Sequence, residues 1–468
     1  MHKRISWQTL QGCFAVLMAC CGLAPLGHLT TLANVMPYLA SYMHKYTDVT
    51  VDYSLAIWLS CCLHAIQGIA TPTTAVLISR VGYRPLLLFS WVVHSAGILL
   101  TPLTLKVGFA AVIFTYAIMV GWGVGASYGL LLALAGSWFP KRRGLVVGIC
   151  ACGFGAGAII LTPVQTAIIN PQNLAVNNVT QMFDDETMLQ RVPKCLYIVG
   201  GIMAGLQLIG CVFVRPRPEE GESEIEEAIE NSLDNSLEVS QSKTASKREA
   251  LATDLSPREV LHKVDVYLFW TIMCLSLIPL TLITATLKVV GQRSIPDDKY
   301  LSLVSTLGAL FNTLARIGWG PLGDRFAYKV PLCCLNLFYG VILITLPFIP
   351  PIPVAGKYLY ALWVSFVYLC VAGNFVLLPF GISRAFGHKH FAANYGIVFS
   401  AFTPGSIIGA LVIYFVKLEY HITEIFVSCG AICLCSSIFA LYLNDANAPR
   451  VYCTQMEEYM RRSNELDV

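Results

Sequence analysis

Twelve stretches of about 20 consecutive apolar residues recur along this 468-residue chain, and they restrict its fold more than any motif does. As helix, such a run spans the roughly 30 Å of a bilayer's hydrocarbon. Helices of a soluble protein would carry a polar face and half-buried strands would alternate, and neither period organises these runs. A membrane β-barrel is excluded for the same reason, because its strands alternate lipid-facing and lumen-facing residues. The expected fold class is an all-α polytopic membrane protein with twelve transmembrane helices. Composition agrees, with 56% hydrophobic residues, 13% charged residues and a mean hydropathy of +0.64.

The predicted spans run Leu10–Leu39, Ser54–Ile78, Pro85–Leu105, Phe109–Trp138, Gly144–Thr166 and Cys195–Val214, then Val266–Val290, Leu301–Gly323, Val330–Ile349, Tyr358–Phe380, Asn394–Val416 and Ile425–Leu443. His2-Lys3-Arg4 before an apolar run imitates a signal peptide, but that run continues to Leu39 and reads as the first span. The organisation expected is a six-helix bundle over residues 1–214, a cytoplasmic linker over 215–263, a second six-helix bundle over 264–443 and a cytoplasmic tail over 444–468. The linker is acidic first (Glu219, Glu220, Glu222, Glu224) and Ser/Lys-rich later, a composition too polar to bury a core. Ser256-Pro257-Arg258-Glu259 reads as a helix start, with Ser as N-cap and Glu three residues on. The 17 cysteines fall mostly inside apolar runs and read as small packing residues.

The net charge of +3 says little, whereas its placement sets an orientation. With the N-terminus cytoplasmic, the inside loops hold Arg80/Arg84, Lys141/Arg142/Arg143, Arg325/Lys329 and Arg384/Lys389, as the positive-inside rule requires. Asn178-Val179-Thr180 is a glycosylation sequon and falls in an outside loop of that arrangement. Both termini are then cytoplasmic. The plasma membrane is the expected location, with an organelle membrane as the alternative.

The two halves share a signal. Ser79-Arg80 follows the second span and Asp324-Arg325 follows the eighth, each with a further basic residue, Arg84 and Lys329, at the same spacing. Gly320-Pro321-Leu322-Gly323-Asp324-Arg325 resembles the loop motif of the major facilitator superfamily, with Ser79 standing in the first copy where that family usually has Asp. Gly121, Gly123, Gly125 and Tyr128, leading into Trp138-Phe139-Pro140-Lys141-Arg142-Arg143-Gly144-Leu145 and then Gly153-Phe154-Gly155-Ala156-Gly157, resemble the oxalate:formate antiporter family, kin of the monocarboxylate transporters. Phe311-Asn312-Thr313-Leu314-Ala315-Arg316, Asn394-Tyr395-Gly396-Ile397-Val398-Phe399-Ser400-Ala401 and Ser256–Leu261 fit the same family. The resemblance implies two parallel six-helix halves with a substrate site at the midplane between them. It also implies gating roles for Gly320, Asp324, Arg325, Arg80 and Arg84, so that Asp324→Asn slows transport more than it weakens binding.

One residue stands out on its own chemistry. Arg316 lies well inside the eighth span, where an arginine costs at least about 2.5–3.5 kcal/mol and needs a cavity and a partner. No Asp or Glu falls inside the spans as drawn. A guanidinium fork matches a carboxylate bidentately, so an anionic ligand is the favoured partner. The other reading pairs Arg316 with Asn312, one turn earlier. In the antiporter family the arginine of this span binds substrate carboxylate, which the resemblance carries onto Arg316. A lysine of the eleventh span supplies a second cation in oxalate carriers, and Phe402 stands at that position here. One cation suits one carboxylate, so a monocarboxylate of the lactate, pyruvate or formate class is expected. Another nutrient, such as an amino acid or a dicarboxylate, is the alternative. Tyr128, Tyr395, Phe399 and Phe375 are the candidate cavity walls, with helix packing as their other reading. In the first span, His28 either takes a proton alongside the anion or is a neutral, bonded residue, with Asn34 and Tyr38 further along.

No nucleophile–base pair, metal motif or phosphate loop is present, so neither enzyme nor cofactor nor metal is expected. A non-transporting solute sensor on the same fold is the remaining class. The expected partners are the small organic anion, a co-transported proton or exchanged anion, and the lipid bilayer. No nucleic acid is among them, and the chain is expected to be a monomer.

Overall fold

The computed structural model describes residues 7–139, 143–177, 180–217, 255–326, 328–387, 390–416 and 420–444. Asn178, most of the expected linker and most of the expected tail lie outside the described residues. Among the described residues, twelve helices are long and apolar enough to cross a membrane. They are α1 (Trp7–Tyr46), α2 (Tyr53–Ile78), α3 (Tyr83–Thr104), α4 (Phe109–Gly136), α5 (Gly148–Ile169) and α6 (Glu186–Phe213), then α7 (Val264–Gln292), α8 (Asp298–Trp319), α9 (Lys329–Phe348), α10 (Gly356–Phe386), α11 (Ala393–Val416) and α12 (Ile422–Leu441). Large apolar side chains such as Phe14, Val76, Ile160, Phe213 and Phe415 stand exposed on the outer surface. In water such a belt would drive aggregation, and in a bilayer it is the solvated face. The chain is an integral, multi-pass membrane protein.

Helix ends differ from the hydropathy reading where polar residues join a helix. The helix of α8 begins at Asp298 and continues to Phe326, starting before the apolar run at Leu301. Asp297 sets that start by accepting the Tyr300 backbone N–H at 3.0 Å. Ser256 and Glu259 form the expected capping box, with the Ser256 N–H donating to Glu259 Oε2 at 2.7 Å.

The first six helices pack chiefly as α1 on α5 and α6, α2 on α4, and α3 on α4 and α6. The last six pack as α9 on α12, α8 on α10, and α7 on α11 and α12. The two groups meet where α5 lies on α8, α2 on α11 and α1 on α7. Successive helices alternate in direction. Arg80, Arg84, Arg143 and Arg384 therefore lie at one end of the bundle, here the arginine end, while Lys45, Asp48 and Asp297 lie at the opposite end.

Two glycines explain how α5 docks on both sides. A Cβ at Gly157 would stand 1.8 Å from the Ala24 carbonyl oxygen, so α1 and α5 touch backbone to backbone. A Cβ at Gly155 would stand 1.8 Å from Thr313 Oγ1, so α5 meets α8 of the other group as closely. Small residues permit such approach in membrane helices. Helix α1 is itself interrupted, and a tighter turn over Pro25–Thr31 separates Trp7–Leu23 from Leu32–Tyr46. Pro25 lacks the N–H that would continue the helix.

Candidate functional site

Arg316 projects from α8 toward α4 of the other group. Its Nη1 donates to Tyr128 Oη at 3.2 Å and its Nε donates to Asn312 Oδ1 at 3.3 Å. Asn312 is held for this task, because its Nδ2 donates to the Tyr368 carbonyl at 3.0 Å and turns its oxygen toward the guanidinium. The guanidinium carbon lies 5.8 Å from the Phe375 ring centre and 6.0 Å from that of Phe154, within cation–π range. Tyr128 meets Phe154 edge to face at 5.4 Å. A guanidinium has five N–H donors and two are engaged. Among the described residues no carboxylate pairs with Arg316, which remains half-buried. Asn312 and Tyr128 therefore orient the fork, and its three other N–H donors have no partner among the described residues.

An aromatic wall continues from there. Phe375 lies 5.9 Å from Phe402, which is fully buried and stacks on Phe399 at 4.0 Å and 14°. Tyr395 adjoins Phe399 at 5.4 Å. A small cleft lies beside Phe375 and Phe402, with Ser276, Tyr339 and Asn374 also on its walls. Six of the expected cavity residues, Arg316, Asn312, Tyr128, Phe375, Phe399 and Phe402, thus form one connected group, with Tyr395 at its edge.

His28 and Tyr38 lie elsewhere. His28 is buried inside the first six helices, with Tyr116 Oη 2.8 Å from its Nε2, and Thr31 Oγ1 and Gln165 Nε2 3.0 and 3.2 Å from its Nδ1. A π-helical stretch, Ile113–Met119, carries Tyr116 to it. Tyr38 belongs to a cluster at the opposite end, around a cation that the sequence reading passed over. Lys288 on α7 is buried, and its Nζ lies 2.8 Å from Asp298 Oδ1. The same Nζ donates to Tyr38 Oη at 2.7 Å and to Asn34 Oδ1 at 2.9 Å. Tyr38 in turn donates to Asp298 Oδ2. Two expectations are corrected here. Arg316 is not the lone intramembrane cation, and an acid does lie within a spanning helix. Asp298 escaped notice because α8 begins three residues before its apolar run, so the acid looked like loop. The legible signal was a lysine in the last turns of one span and an aspartate opening the next, across a short connection.

Of the expected gating residues, Arg80 and Arg84 are exposed at the arginine end, where Arg84 Nε donates to Tyr83 Oη at 3.0 Å. Gly320, Asp324 and Arg325 fall in the last turns of the α8 helix, and their side chains lie outside the described residues.

A family model of the Major Facilitator Superfamily matches residues 17–296. The chain belongs to that superfamily. Its fold agrees, being similar to the xylose transporter XylE from E. coli in a partially occluded inward open conformation. That similarity has a TM-score of 0.68 at 13% identity, covering 93% of this chain and 99% of the other. In sequence, this superfamily member is similar to the Apicoplast pyruvate carrier 1 of Toxoplasma gondii, 24% identical over 376 residues, covering 75% of this chain and 68% of that protein. It is also similar to the Oxalate:formate antiporter of Oxalobacter formigenes, 23% identical over 354 residues, covering 74% and 71%. The Monocarboxylate transporter 9 of Gallus gallus is 25% identical over 154 residues, covering 33% and 26%. The chain is a transporter of the major facilitator type and not an enzyme.

Proposed function

We propose that this transporter carries small monocarboxylates, of the lactate, pyruvate and formate class, by alternating access with the substrate carboxylate on Arg316. The observation that carries the reading is the guanidinium itself. It lies between the two six-helix groups with donors unspent, is oriented by Asn312 and Tyr128, and has no carboxylate partner among the described residues. By the family resemblance Phe402 stands where oxalate carriers have a second cation, and its stack on Phe399 is apolar, which favours one carboxylate over two. The charge of Lys288 is already balanced by Asp298 at the other end. Names among the relatives point the same way: a pyruvate carrier, an oxalate:formate antiporter and a monocarboxylate transporter.

In this reading Tyr128, Phe375, Phe399, Phe402 and Tyr395 shape the cavity, and His28 supports it from within the first bundle. Asp324, Arg325, Gly320, Arg80 and Arg84 serve the gate at the arginine end. Residues 1–214 and 264–443 form the two moving bundles, joined by a linker over 215–263, and the carrier acts as a monomer. The arginine end and both termini face the cytoplasm, by the positive-inside rule, with Asn178 facing out of the cell across the plasma membrane. Uptake by proteoliposomes, over a panel of mono- and dicarboxylates and neutral amino acids with and without a pH gradient, tests the proposal. Lactate, pyruvate or formate should dominate the panel. A strong preference for oxalate, succinate or a neutral amino acid overturns it, and the pH arm separates proton symport from exchange.

A further inference from the structure

Lys288 and Asp298 are saturated in a particular way. The three donors of the ammonium go to Asp298, Asn34 and Tyr38. The carboxylate accepts from Lys288 and from Gln292 Nε2 (3.4 Å) on one oxygen, and from Tyr38 and Asn170 Nδ2 (2.9 Å) on the other. Lys288, Asp298, Tyr38, Asn34 and Asn170 are all buried. Both charges belong to the last six helices, whereas Asn34, Tyr38 and Asn170 are neutral and belong to the first six.

The same end holds a second bridge of this kind. Asn173, left-handed at φ 60° as asparagine tolerates, donates to Asp297 Oδ1 at 3.0 Å and accepts from the Lys299 backbone N–H at 2.7 Å. Its side chain thereby grips the first turn of the α8 helix from across the interface. Ser302 Oγ donates to the Thr162 carbonyl one turn deeper, at 3.4 Å.

We infer that Asn34, Tyr38, Asn170 and Asn173, closing on the Lys288–Asp298 pair and Asp297, form the latch that holds the opposite end shut. The arrangement is suited to repeated opening. When the two groups part, the ion pair stays together within its own group, with Gln292 still attached. No opposite charges are pulled apart in a low dielectric, where an unpaired charge is strongly penalised. What breaks is a set of neutral-to-charged hydrogen bonds, and incoming water can replace them. Lys288 and Asp298 are therefore positioning residues for the transport cycle. The inference rests on transport by alternating access and not on the identity of the solute.

The test needs no substrate, so its failure and that of the carboxylate reading are distinguishable. The full chain in lipid nanodiscs is followed by hydrogen–deuterium exchange, comparing the parent with Tyr38→Phe and, separately, Asn173→Ala. Tyr38→Phe keeps the ring against Phe183 (5.2 Å) and removes only the hydroxyl that bonds both charges. Asn173 is partly exposed, and its loss leaves the core intact. A latch predicts reciprocity. Exchange over residues 32–46 and 286–302 should quicken about tenfold or more in Tyr38→Phe, while exchange over 128–139 and 312–319 at the arginine end slows. Quickening at both ends in both variants would mean a merely structural cluster and overturns the inference, as would unchanged exchange at both ends.

Discussion

Replacing Arg316 by glutamine removes the charge between the two six-helix groups while keeping an amide within reach of Asn312. A carboxylate held by the guanidinium fork loses two charge-assisted hydrogen bonds of about 1.5–3 kcal/mol each, and the amide returns one neutral bond of about 1 kcal/mol. The balance is a loss of about 2–5 kcal/mol in binding, or roughly 30- to 4,000-fold in affinity. Folding should suffer little. Arg316 is half-buried, and the glutamine amide can still donate to the Asn312 oxygen that the guanidinium releases. Arg316→Lys is the informative companion, since it keeps the charge but not the planar fork, and should fall between parent and glutamine. Concentration-dependent uptake of labelled lactate and pyruvate into proteoliposomes measures all three, with reconstituted protein and melting temperature as controls. Uptake of a monocarboxylate by Arg316→Gln within threefold of the parent, at normal reconstitution, would refute the assignment of the carboxylate to Arg316.

Tyr128→Phe leaves the ring against Phe154 but withdraws the oxygen that fixes Arg316 Nη1, so substrate affinity should fall about threefold to tenfold. Half-saturation concentrations for uptake report it. Phe402→Lys places a second cation beside Phe375 and the cleft, and should raise oxalate or succinate uptake relative to lactate in competition assays. An unchanged ratio would count against Phe402 as a selectivity position. Gly155→Ala drives a methyl to 1.8 Å from Thr313 Oγ1 and should lower stability by about 1–3 kcal/mol. Thr313→Ala in the same chain should restore part of the melting temperature in detergent.

The fold was legible because the bilayer enforces it. Each spanning helix must satisfy its own backbone in hydrocarbon, so apolar runs map directly onto helices. Arg316 was legible for a related reason, since a charge in the middle of such a run has few bland explanations. Its partners were partly legible: Asn312 is one helical turn away on the same face, whereas Tyr128 on α4 came only through motif likeness. The pairing of Lys288 with Asp298 was not read, although the two flank one short connection. Hydropathy marks where hydrocarbon begins and not where a helix begins, so Asp298 was placed in a loop and its partner lost significance. The hydroxyl and amide ligands from α1 and α5 are spread over the chain and carry no local signal. Neither does the separation of His28 and Tyr38 into different clusters, because both lie on the same interrupted helix.

The charges imply a kinetic asymmetry. Lys288 and Asp298 cancel each other and travel together, so they add no net charge to any state of the cycle. Among the described residues Arg316 has no anion, and the empty carrier must take an unbalanced guanidinium through a state closed at both ends. Under the proposed function, a bound carboxylate neutralises it there. The penalty avoided is of the order of the 2.5–3.5 kcal/mol assigned to an arginine at mid-membrane, and each 1.4 kcal/mol of barrier is a factor of ten in rate. Water left in the cavity reduces that figure without changing its sign. Loaded carriers should therefore reorient at least about tenfold faster than empty ones, and labelled monocarboxylate should leave proteoliposomes that much faster when unlabelled monocarboxylate is present outside. A membrane potential should alter net flux and leave this exchange nearly untouched, because the step that moves net charge is the return of the empty site. Equal efflux with and without external substrate would show that the guanidinium is balanced by something other than the solute, and would remove the physical basis for exchange.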